Sequence, residues 1–79
     1  MNKYTKLYNR VLRKLDGKKI TQDNLSDCAK KVWLTEFDLL EVLDRLVDDQ
    51  YIFGDNEKIV YSIPYETYKE LPMELRLWK

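Results

Sequence analysis

The stretch LSDCAKKVWLTEFDLLEVLDRLVDDQYI, residues 25–52, holds two helical patterns joined by a short turn. Leu25, Cys28, Ala29 and Val32 recur at helical spacing and predict a helix over roughly 22–31. Thr35 stands where an N-cap hydroxyl belongs, with Asp38 three residues on as a weak capping-box partner. Leu39, Val42, Leu43 and Leu46 form the inner face of a further helix that runs to about Asp49. Leu40 and Val47 widen this apolar arc, as a broader core contact or as a dimer seam.

Upstream, Tyr4, Leu7, Tyr8, Val11, Leu12 and Leu15 define one apolar face of a first helix, roughly 3–16. Gly17 sits where a left-handed C-terminal cap ends such a helix. The chain from Lys18 to Thr21 then reads as a short extended segment. Downstream, residues 51–53 and 58–63 are rich in aromatic and β-branched types. Gly54, Asp55, Asn56 and Glu57 separate them with turn chemistry, which predicts a β-hairpin ended by Pro64. The tail from Tyr65 has weak helical character, with Pro72 at a first-turn position.

This order is helix, short strand, helix, tight turn, helix, hairpin. It resembles the winged helix-turn-helix superfamily over residues 3–63. Leu25 matches the leucine that packs beneath that family's third helix. Val32-Trp33-Leu34-Thr35 matches its inter-helix turn, and Leu39, Leu43 and Leu46 match the inward positions of the third helix. Gln50 stands where the family often has a glycine at the entry to the wing. The resemblance implies a small α+β winged-helix domain over 1–63, with a packing or dimerisation tail over 64–79. It also implies DNA contact through the third helix and the wing tip.

Composition narrows the chemistry. A chain of 79 residues allows one small domain, and 44% hydrophobic with 35% charged residues fits a folded, cytoplasmic protein. The apolar runs are too short for a membrane span or a signal peptide. Cys28 is the only cysteine and lies on an inner helix face, as a small core residue rather than a nucleophile. There is no histidine, no metal-ligand spacing and no glycine-rich phosphate loop, so neither enzyme, metal nor cofactor is expected.

The net charge of zero conceals a division. Residues 1–20 carry Lys3, Lys6, Arg10, Arg13, Lys14, Lys18 and Lys19 against Asp16 alone. Residues 36–57 carry eight acids against Arg45 alone. Stepping the third helix at 100° per residue places Phe37, Glu41, Asp44 and Asp48 at the centre of its outward face. DNA presents one negative charge per ~1.7 Å of axis, so that face repels the usual ligand of such a helix. Phe37 is expected either tucked against the hairpin, the preferred arrangement, or bared as an anchor for a partner.

Two functions follow. In the first, a non-enzymatic module within transcription or DNA transactions meets a basic protein surface through Phe37, Glu41, Asp44 and Asp48. That fits a phage- or plasmid-type regulator or inhibitor. In the second, a dimeric regulator contacts the backbone of duplex DNA with the basic stripe of the first helix, Lys3 to Lys14, extended by Lys18 and Lys19. A homodimer would use the tail, where Leu71, Leu75 and Trp78 lie at i, i+4 and i+7 with Leu77 nearby; the same residues could instead pack back on the first helix.

Overall fold

The computed structural model describes residues 3–72, with side chains from Lys6 onward. Helix α1 spans Lys3–Lys14, strand β1 Lys19–Thr21, helix α2 Leu25–Lys31 and helix α3 Glu36–Asp48. Strands β2, Phe53–Asp55, and β3, Val60–Ser62, form the hairpin, and a 3-10 turn, η1, covers Thr67–Glu70. The strands form one antiparallel sheet in the order β1-β3-β2, with Ile20 opposite Tyr61 and Gly54 opposite Tyr61 on its other side. The protein is thus a small α+β domain of three helices and a three-stranded antiparallel sheet.

The helical faces read from the sequence meet in one core. Tyr8, Val11, Leu12 and Leu15 of the α1 segment pack with Leu25, Cys28 and Ala29 of α2 and with Leu39, Val42, Leu43 and Leu46 of α3. Ile20, Ile52, Tyr61 and Ile63 close the sheet side. Asn9 is buried among them, and its side-chain oxygen accepts from Arg13 Nε at 2.8 Å. Leu71, from the tail, is buried in the same core, and η1 rests on α1.

Two boundaries differ from expectation. Helix α2 starts at Leu25, because Asn24 is engaged elsewhere. Its side-chain oxygen accepts from Thr21 N at 2.7 Å, and its amide nitrogen donates to Lys19 O at 2.9 Å. The amide therefore holds residues 21–24 in a turn that ends β1. The hairpin turn also lies later than residues 54–57. Gly54 and Asp55 belong to β2, and Ile59 carries the turn at φ +50°. The cause is packing: Gly54 lies against the Tyr61 ring, where a Cβ would collide with it.

Consecutive helices end in the same way. Leu34 N donates to Ala29 O at 3.0 Å and Trp33 N to Lys30 O at 3.2 Å. Tyr51 N donates to Leu46 O at 2.9 Å and Gln50 N to Val47 O at 3.0 Å. Both are Schellman motifs, closed by a residue in the left-handed region: Trp33 at φ +59° and Gln50 at φ +67°. Gln50 thus takes the conformation that glycine at this position would favour. The Thr35 cap forms as expected, its hydroxyl oxygen accepting from Asp38 N at 3.0 Å.

Candidate interaction surfaces

Two acids of the α3 segment, Asp44 and Asp49, accept bonds from buried tyrosines. Tyr61, with no exposed surface, donates its hydroxyl to Asp44 Oδ1 at 2.6 Å. Asn56, in the hairpin turn, donates to Asp44 Oδ2 at 2.7 Å and to the Tyr61 hydroxyl at 3.2 Å. Both oxygens of Asp44 therefore tie the hairpin to α3. Burial, then the bond to Asp44, pushes the Tyr61 hydroxyl up to about 12. At the other end of α3, buried Tyr8 donates to Asp49 Oδ2 at 2.8 Å, and burial again raises the phenol.

The remaining acids stay on the surface. Asp48 is exposed and Glu41 half-buried, and Asp55 and Glu57 are exposed on the hairpin. Asp44, Val47, Asp48, Gly54, Asp55 and Asn56 line an open groove of about 500 Å³ between α3 and β2. Three carboxylates line it, of which Asp44 is already bonded to Tyr61 and Asn56. Phe37 is not tucked against the hairpin. It stands 69% exposed in the first turn of α3, on the side away from the buried Leu39, Val42, Leu43 and Leu46.

The basic stripe of α1 is less open than the sequence suggests. Arg10 is half-buried and donates from Nη1 to Val32 O at 3.4 Å, with its guanidinium 5.4 Å from the Trp33 ring centre. Arg13 is held by Asn9 and lies 4.3 Å from the centre of the Tyr68 ring. Lys14 Nζ lies 5.2 Å from the Trp33 ring centre. Lys6, Lys18 and Lys19 are exposed, while the Lys3 side chain lies outside the described residues. In the tail, Leu71 is buried in the core, and Leu75, Leu77 and Trp78 lie outside the described residues.

Sequence reasoning missed Trp33 as a surface residue and treated it as part of the inter-helix turn. Its place just after the last turn of α2, where a left-handed residue closes the helix, was the available signal. Cys28 is buried, and desolvation raises its thiol, which makes it unreactive. Among the described residues no group of His, Cys, Asp and Glu is placed to hold a metal ion, and no helix is long and apolar enough to cross a membrane. No protein-family model, curated protein or solved structure matches the chain.

Proposed function

We propose that this chain is a non-enzymatic winged-helix module that acts in transcription or DNA transactions by protein contact, through the acidic side of α3. Two features support the winged-helix reading. The element order is the one expected of that superfamily, and β1 pairs with β3 while β2 lies outermost. The observation that carries the function is the groove between α3 and β2. Asp48 of α3 and Asp55 of β2 both line it, where a DNA-reading helix and wing would present cations. Such a wall attracts a partner's Lys or Arg and repels phosphate. Phe37, bared on the first turn of the same helix, supplies an apolar anchor.

The rival, backbone contact with duplex DNA through α1, draws on Lys6, Lys14, Lys18 and Lys19, all exposed. Arg10 and Arg13 contribute less to it, since both guanidiniums are engaged within the chain. The test compares native-cell proteins captured on the wild-type chain with those on Glu41→Lys/Asp48→Lys, after nuclease treatment. A partner held by the wild type and lost from the variant is expected. An identical set on both baits removes the acidic face as a binding surface. Capture of duplex DNA with a salt slope of about −0.9 per neutralised phosphate favours the rival.

A further inference from the structure

Trp33 differs from the other bared aromatic side chains. It is 71% exposed, its backbone is left-handed, and two cations lie against its ring. A large side chain is disfavoured at that backbone position, where glycine fits best. Retained strain of this kind is most informative when the side chain has something to do. Arg10 and Lys14 approach the indole from α1 and hold it in place. Lys30 and Lys31 are exposed on the last turn of α2, three and two residues before it.

We propose that this face binds single-stranded nucleic acid, with a base stacked on the Trp33 indole and phosphates met by Lys14, Lys30 and Lys31. An exposed ring beside lysines and arginines is the arrangement that base stacking and backbone neutralisation both require. A duplex keeps its base faces inside the stack and offers nothing to the indole. An acidic peptide satisfies the cations, but its carboxylates gain nothing from the negative face of a ring. The site is separate from the groove between α3 and β2, and its occupant has the opposite charge.

The experiment uses the full chain with Trp78→Phe, which leaves Trp33 as the only indole. An oligothymidylate of about twelve nucleotides is titrated at low salt while indole emission is followed. Saturable quenching is expected, with affinity falling at about −0.7 per neutralised phosphate as salt rises. Trp33→Gly suits the left-handed backbone, so it keeps the wild-type circular dichroism. It is expected to weaken binding at least about fivefold, read by anisotropy of a labelled strand. Trp33→Tyr restores most of the loss, and Lys14→Ala/Lys31→Ala flattens the salt slope. Asp48→Lys leaves strand binding no weaker, which separates this outcome from that of the α3 surface. Absence of saturable quenching overturns the proposal. So does unchanged affinity in Trp33→Gly, tighter binding of a duplex of equal length, or equal affinity for polyglutamate.

Discussion

Gln50 holds its helix end in a conformation that costs an L-residue about 1–2 kcal/mol. Glycine there gains that back, less about 0.5–1 kcal/mol for its freer unfolded chain. Gln50→Gly is therefore expected to stabilise the fold by roughly 0.5–1 kcal/mol, seen as a higher midpoint in urea. The departure from glycine was visible in the sequence, but the backbone was not. The motif is imposed by its flanks, since Ile52 must reach the core while Tyr51 N bonds back to Leu46. Tyr61 is the second residue whose role the chain hides, because an aromatic in a strand gives no sign of its acceptor. Tyr61→Phe is expected to cost about 1.5–3 kcal/mol, as its hydroxyl bonds a carboxylate. The folded state holds the phenol proton more tightly than the unfolded chain, whose tyrosine titrates near 10. That stabilisation is complete below pH 10 and is lost as pH rises towards 12. Denaturation across this range should show a shallower alkaline decline in Tyr61→Phe, with Tyr8 supplying the remaining slope.

At the scale of elements, α3 was the most legible part of the chain. Its inner leucines repeat at helical spacing, and Thr35 marks its start by chemistry that acts within one turn. The hairpin was legible as a pair of strands but not in its turn, because the composition of residues 54–57 suits a loop. Packing of Gly54 against Tyr61, and the reach of Asn56 to Asp44, move the turn onward. Both depend on residues outside the turn, Tyr61 seven positions from Gly54 and Asp44 twelve from Asn56. The outward acids looked equivalent for the same reason. Asp44→Ala removes the acceptor of a buried hydroxyl and is expected to destabilise by about 2 kcal/mol. Asp48 lies at the helix C-terminus, where a negative charge opposes the dipole. Asp48→Ala is expected to be neutral or to stabilise by up to about 1 kcal/mol. Parallel urea titrations separate the two.

Across the whole molecule, a neutral chain carries two opposed surfaces: acids along α3 and the hairpin, and cations along α1 and the end of α2. The division was plain in the sequence. The cations set against rings and carbonyls were not, since Arg10 meets Trp33 and Arg13 meets Tyr68 only in the folded chain. The tail is part of this closure as far as Leu71. Leu71→Ala is expected to cost about 2–5 kcal/mol, measured by thermal and urea unfolding, whatever the oligomeric state. The central strand has a consequence for synthesis. β1 emerges early, but it has no neighbour until β3 is made, because β3 separates it from β2. A ribosome must therefore deliver the chain as far as Ser62 before the sheet can close. The bond that ties α3 to the hairpin, from Tyr61 to Asp44, therefore forms only in the last stage of that closure.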